Sequence, residues 1–175
     1  WVVGPDDPHR AVMPSTVRCG SGRLVSAIRR RQVGSESCWV DAYGSAEGGC
    51  GWQLQGKVAE TGPWNGNPPA LVALTDGRLC CVVGDRKTCR IIARYSSDEG
   101  KTWGGDVVLR ADFQPDRYGD PDLGYPRVAQ RNDGNLIAIY YWASGAVPHQ
   151  HIAATIWNAD EDVACVHPQP PLRCG

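Results

Sequence analysis

The 175-residue sequence has no run of about 18 apolar residues, and so no segment that would cross a bilayer as a helix. It has no excess of either charge. The formal net charge is -1, which leaves no surface-wide attraction for nucleic acid or an anionic membrane. None of its eight cysteines (19, 38, 50, 80, 81, 89, 165 and 174) stands in a Cys-x-x-Cys pair, so the spacing of a zinc ribbon or a thioredoxin-type site is absent. Cys80 and Cys81 are adjacent and point to opposite faces of any strand that holds them. Disulfides are not needed at this size, and free, mostly buried thiols are expected. The N-terminus, Trp1, is not followed by a basic segment and an apolar stretch of the signal-peptide kind. The compartment is left open. Helical periodicity is scarce. What is abundant is glycine (21) and proline (13), a composition that favours many short strands joined by turns.

The chain repeats itself. "PSTVRCGSGRLVSAI" from Pro14, "PALVALTDGRLCCVV" from Pro69 and "PRVAQRNDGNLIAIY" from Pro126 each place a Gly eight residues after the Pro and a Leu two residues later. Each reads as strand, tight turn, strand, with Asp-Gly closing two of the turns. A second frame, "SAEGGCGW" (45–52) and "SSDEGKTW" (96–103), recurs with its Trp residues 51 apart. Strand-like runs flank each frame: "CWVDAYG" and "CRIIARY" before, "WQLQGKV" and "GGDVVLR" after. A unit of roughly 50–57 residues with four strands, A to D, is a propeller blade. The third unit has its strand C at "HIAATIW" (151–157), followed by "NADEDVAC" without the Gly or the Trp. "WVV" (1–3) reads as strand D of a preceding blade. The expected organisation is blades at about 14–65, 69–120 and 126–158, then a Pro-rich tail at 159–175.

Ser96, Asp98, Gly100, Thr102 and Trp103 form S-x-D-x-G-x-T-W, which resembles the Asp-box, or BNR repeat, of sialidases and related glycoside hydrolases. The copy at 45–52 is degenerate, with Glu47 for Asp and Gly51 for Thr. The blade spacing covers most of the chain. The resemblance implies an all-β fold, a portion of a six-bladed β-propeller, matching the C-terminal half of a bacterial sialidase-like domain. It also implies exo-acting hydrolysis of a glycosidic bond in an acidic glycan. In the family the box lies away from the active face. Physics accounts for it without catalysis: Asp98 accepts backbone hydrogen bonds of its own turn, Gly100 supplies the unusual backbone angle, and Trp103 packs between blades. Two acidic side chains are too few for calcium.

Strand order places the A–B turns and the box turns on one face, and the B–C and D–A loops on the other, where ligands bind near the axis. A sialidase-like site needs arginines for the substrate carboxylate, a Tyr nucleophile, a Glu to take its proton and an Asp acid/base. The resemblance points to Tyr125, Glu60 and Asp120 as catalytic candidates, with Asp122 as an alternative carboxylate. Arg30, Asn67, Arg86, Arg127 and His151 are the substrate-binding candidates; Arg31 competes with Arg30. Each has a structural alternative: Tyr125 as a packed loop aromatic, Arg29 to Arg31 as a solvated strand end, Asp120 and Asp122 as turn formers around Pro121, Glu60 as a loop cap. His149 and His151 lack a third ligand, so no metal is expected, and no cofactor. They do keep open a lyase reading with His as base. The family's Arg-Ile-Pro motif is absent. The expected function is therefore that of a glycosidase portion whose partner is a glycan. A non-catalytic carbohydrate-binding propeller, or an inactive truncated product, is the alternative. Open blade edges favour self-association.

Overall fold

The computed structural model describes residues 1–46, 48–115 and 119–160. Among these, all regular structure is β, in three antiparallel sheets with strands in sequence order. The first holds β1 (His9–Arg18), β2 (Leu24–Gln32), β3 (Cys38–Ser45) and β4 (Gln53–Glu60). The second holds β5 (Ala70–Ala73), β6 (Leu79–Asp85), β7 (Arg90–Ser96) and β8 (Val107–Arg110). The third holds β9 (Gly124–Gln130), β10 (Leu136–Trp142) and β11 (His151–Trp157). This is the all-β, partial propeller architecture that the repeat implies.

The three A–B hairpins close identically. Gly22, Gly77 and Gly134 take φ of +88°, +92° and +86°, angles open to glycine at little cost. Their N–H groups donate to the carbonyls of Cys19, Leu74 and Arg131 at 2.9, 3.0 and 3.0 Å.

The core follows from strand alternation. Leu79, Cys81 and Val83 of β6 pack with Val25, Ala27, Val40, Ala42 and Val58 of the first sheet. Cys80 and Val82 pack with Leu136, Ala138, Tyr140 and Trp142 of the third. The middle sheet is thus buried on both faces. The neighbouring cysteines do face opposite ways, and burial pushes the Cys80 thiol up to about 12. Six cysteines in the described residues carry free thiols: Cys19, Cys38, Cys80 and Cys81 buried, Cys89 half-buried, Cys50 exposed. Cys165 and Cys174 lie outside the described residues.

The turn at 96–103 is closed by its own side chains. Asp98 accepts from the Thr102 N–H (2.9 Å), the Thr102 hydroxyl (2.6 Å) and the Ser96 hydroxyl (2.8 Å). Gly100 N–H donates to Ser96 Oγ at 2.8 Å, and the Trp103 indole N–H to the Gly100 carbonyl at 3.1 Å. In the degenerate copy Gly49 N–H donates to Ser45 Oγ and the Trp52 indole to the Gly49 carbonyl; Glu47 lies outside the described residues. The turn also seals a junction. A Cβ on Gly100 would sit 3.1 Å from Val25 of the first sheet, and Trp103 packs on the same cluster. Ser21, in the A–B turn of the first sheet, donates to Glu99 at 2.5 Å. Arg78, in the A–B turn of the second, binds Asp160 after β11 at 2.6 Å. A–B and C–D turns therefore share one face.

Two details differ from the sequence expectation. Residues 1–3 are not in a strand. And β1 begins at His9, because a bulge between Val12 and Ser15 carries Met13 and Pro14 while pairing continues on both sides. His9 and Arg10 are therefore strand residues rather than loop. Residues 161–175 of the expected tail lie outside the described residues. In the third sheet, Ile139, Ile152 and Ile156 are 44, 74 and 47% exposed on the face turned away from the core.

Hydrogen bonds, first from the Thr102 side chain and then from its backbone, lower the Asp98 carboxyl from 3.8 to about 2. A depressed carboxyl stabilises the fold above its unfolded pKa, and that stability is lost as the pH falls through the folded one. Asp98→Asn is expected to melt below the wild type at neutral pH, with the gap closing between about pH 4 and pH 2. Calorimetric melts across that range measure it, and a pH-independent gap would remove ionisation from the account.

Candidate functional site

On the face opposite the box turn, the three A strands β1, β5 and β9 lie side by side. Each is reached through an X-Pro step: Met13-Pro14, Pro68-Pro69 and Tyr125-Pro126. Proline steers the preceding residue away from the right-handed helical region, and Met13 and Tyr125 take φ of +54° and +49°. Both lie at bulges. These steps, with Arg127 and Val128, line a cavity of about 370 Å³. Met13 shares the conformation without any titratable group. The left-handed backbone at Tyr125 is therefore a property of the blade architecture, and it turns the ring toward the cavity.

Asn67 fixes that backbone. It is fully buried. Its Nδ2 donates to the Leu123 carbonyl at 2.9 Å, and its Oδ1 accepts from the Tyr125 N–H at 2.8 Å. A Cβ at Gly124, which has φ of +110°, would collide with the Asn67 carboxamide, so glycine is required there.

Beside Tyr125 stands a polar cluster. The Tyr125 and Tyr141 ring centroids are 5.7 Å apart. The Tyr141 hydroxyl donates to Asp122 Oδ1 at 2.5 Å. Arg86 Nη2 reaches the same oxygen at 3.1 Å and the Tyr141 hydroxyl at 3.2 Å. Gln150 Nε2 donates to Asp122 Oδ2 at 2.7 Å, and Arg86 Nη1 to the Trp64 carbonyl at 2.7 Å. Burial raises the Asp122 pKa, but the hydrogen bonds from Tyr141 and Gln150 and the Arg86 charge outweigh it, leaving the carboxyl below its ordinary value. Burial, then the bond to Asp122, pushes the Tyr141 phenol well above its ordinary value. At neutral pH the pair is an ionised acceptor held by a protonated donor. Asp122 can take a proton or stabilise positive charge; it does not supply a proton.

The remaining candidates are placed as follows. Arg127 is exposed, lines the cavity, and donates to the Pro126 carbonyl at 2.8 Å. Asp120 is exposed on the loop that carries Asp122. Glu60, at the end of β4, pairs with Lys57 at 2.7 Å. Arg30 is 3% exposed and is held by Asp7 at 2.5 Å, by Asp41 at 3.4 Å and by Tyr43. His151 opens β11, and its Nδ1 lies 2.9 Å from the His149 carbonyl. Asp116, Arg117 and Tyr118, on the same loop as Asp120, lie outside the described residues. The structure brings together Tyr125, Arg127, Asn67 and Arg86, and keeps Arg30 away from them. Tyr141 and Gln150 were not anticipated. The signal for Tyr141 is the alternation in "LIAIYYW": Tyr140 faces the core, so Tyr141 faces out at the strand end nearest the B–C loop.

The stacked sheets and their inner strands define a portion of a β-propeller with a glycoside-hydrolase-like fold. No protein-family model matches the chain, and no curated protein matches it. Solved structures do. The chain is similar to a protein of unknown function from Dyadobacter fermentans, at 26% identity and a TM-score of 0.65, over 88% of this chain and 40% of that one. It is similar to an α-L-arabinanase from Penicillium chrysogenum, complexed with arabinobiose, at 19% identity and a TM-score of 0.65, over 87 and 48% of the two chains. It is also similar to the Hadza microbial sialidase Hz136, at 16% identity and a TM-score of 0.60, over 87 and 35%. The chain thus spans less than half the length of each of these three structures.

Removing the Asn67 carboxamide leaves a buried carbonyl and a buried N–H without partners, which costs about 1–3 kcal/mol. Asn67→Ala is expected to lower the urea midpoint accordingly, and to release the Tyr125 ring into faster motion by NMR relaxation. An unchanged midpoint would show that Asn67 does not set this loop.

Proposed function

We propose that this chain is a portion of a propeller glycoside hydrolase that acts on a glycan at the face carrying Tyr125. The observation that carries the reading is the juxtaposition of a cavity open to solvent, an aromatic ring at its wall, and an ionised carboxylate held beside that ring by Arg86, Tyr141 and Gln150. Carbohydrate sites use such parts: aromatic faces for the apolar side of a sugar ring, and carboxylates to stabilise developing positive charge at the anomeric carbon. Arabinobiose in the Penicillium arabinanase structure supports a saccharide ligand. The sialidase neighbour and the S-x-D-x-G-x-T-W turn support the finer reading of an acidic glycan cleaved exo-wise.

In that finer reading Tyr125 is the nucleophile and Asp120 the acid/base. Asp122 takes over from Glu60 the task of accepting the tyrosine proton, because Glu60 is engaged by Lys57. Arg127 and Arg86 supply positive charge to the substrate, Asn67 holds the loop, and His151 stands at the rim of the B–C side. A complete catalytic centre needs a full ring of blades, and the similar structures are more than twice as long. The isolated chain is therefore expected to bind glycan without turning it over. That makes a carbohydrate-binding propeller the second reading.

The test uses the purified 175-residue chain. Oligosaccharide binding is followed by titration calorimetry, and hydrolysis with fluorogenic sialoside and arabinofuranoside. Binding is expected, with Tyr125→Ala weakening it about tenfold, the loss of one well-placed ring. No turnover of either glycoside is expected. Robust turnover would overturn the half-site argument, and the absence of any glycan binding would overturn the proposal.

A further inference from the structure

Three consecutive arginines on β2 are separated by strand alternation. Arg30 turns to the outer face of the first sheet and is buried among Asp7, Asp41 and Tyr43. Arg29 and Arg31 share the face that carries Val25 and Ala27, the face packed on the second sheet. The register places Arg10 opposite Arg31 and Val12 opposite Arg29, so Arg10 joins them. Arg10, Val12, Arg29, Arg31, Asn65 and Tyr125 line a second cavity of about 280 Å³. Asn65 Oδ1 accepts a hydrogen bond from Arg31 Nη1. Tyr125 walls both cavities.

The charge here is uncompensated. Elsewhere Arg30, Arg78, Arg86, Arg94, Arg110 and Arg131 each pair with a carboxylate. Among the described residues no carboxylate lies within ion-pair distance of Arg10, Arg29 or Arg31. Like charges held together in a recess repel each other, and a bound anion removes that repulsion. Guanidinium groups also present their donors in the fork that a carboxylate or sulfate accepts.

The geometry points to an oxyanion subsite formed by Arg10, Arg29 and Arg31, taking the carboxylate or sulfate of a saccharide whose ring lies against Tyr125. This deepens the proposal of a glycan-binding groove and rests on it for the saccharide. The subsite needs only one blade and one neighbouring ring, so the chain forms it without a closed propeller and without catalysis. The Tyr125 ring sits between the two cavities. A sugar held there would place its anionic substituent toward the arginines and its remainder toward Arg127.

Titration calorimetry of the whole chain tests this with three probes of matched length: a galacturonate oligomer, a sulfated oligosaccharide and a neutral arabino-oligosaccharide. Inorganic sulfate serves as the bare oxyanion. Either anionic oligomer is expected to bind at least about tenfold more tightly than the neutral one, the scale of a charge-assisted pair. That preference should shrink as salt is raised. The carboxylate and sulfate arms identify which group the site takes. Arg29→Gln/Arg31→Gln, checked for an unchanged melting curve, is expected to abolish the preference. Arg10→Gln, at an exposed position, is expected to reduce it and serves if the double variant fails to fold. Arg131→Gln, in the A–B turn of the third sheet on the opposite face, is expected to leave it intact.

Binding of sulfate, lost in Arg29→Gln/Arg31→Gln but without any oligosaccharide binding, would support the oxyanion site and defeat the saccharide reading. Equal affinity for neutral and anionic oligomers would defeat the oxyanion site and leave the saccharide reading standing. Equal loss in Arg131→Gln would show diffuse charge attraction and overturn the site.

Discussion

Burial of both faces of β6 is the constraint on which the rest depends. A strand with Leu79, Cys81 and Val83 on one side and Cys80 and Val82 on the other has no polar face to give to water. It is stable only between two other sheets. That requirement fixes the stacking order, sets the three inner strands side by side, and decides which loops meet. The glycine hairpins and the box turn are consequences at one end of the stack. They bring each sheet's corner onto its neighbour, through Ser21 and Glu99 and through Arg78 and Asp160. The opposite end is left for polar loops, and there the arginines, Tyr125 and Asp122 collect.

The division between the two ends has a simple electrostatic character. At the turn end, carboxylates are consumed locally: Asp98 by Thr102 and Ser96, Asp76 by Arg78. At the loop end charge is kept in reserve. Asp122 is held ionised with its partners on one side, while Arg10, Arg29, Arg31 and Arg127 face open space. The strained X-Pro steps do not by themselves mark chemistry, since Met13 adopts the same backbone as Tyr125. They turn an inner-strand residue toward the channel, and what that residue is decides what the channel can do.

Much of the fold was legible in the sequence because its signals are local. Asp-Gly turns, a fixed Gly–Leu offset after each Pro, and Trp residues 51 apart all report hairpins and repeats without knowledge of distant partners. The box turn was equally legible, since all its hydrogen bonds close within eight residues. The site was less so. Arg29, Arg30 and Arg31 look alike in sequence. Only the register against β1 shows that Arg30 is buried among Asp7, Asp41 and Tyr43 while its neighbours line a cavity. Tyr141 meets Asp122 across 19 residues and Arg86 across 55, pairings that no local pattern encodes. The start of β1 was missed because the Met13 bulge hid the continuation of the strand behind a proline.

The corner contacts between sheets join only neighbours in the sequence, and this shapes how the chain comes apart. A stack held by nearest-neighbour interfaces behaves as a one-dimensional array, in which each member's persistence depends on how many flanks it has. The second sheet has two flanks; the first and third have one each. Opening therefore runs inward from the ends, and the amides of β6 are the last to exchange with solvent. The oxyanion subsite draws on β1, β2 and Tyr125, all of them on outer members. Its occupancy would tie both ends of the array to one ligand, so that the saccharide acts as the clasp that the open stack does not itself possess.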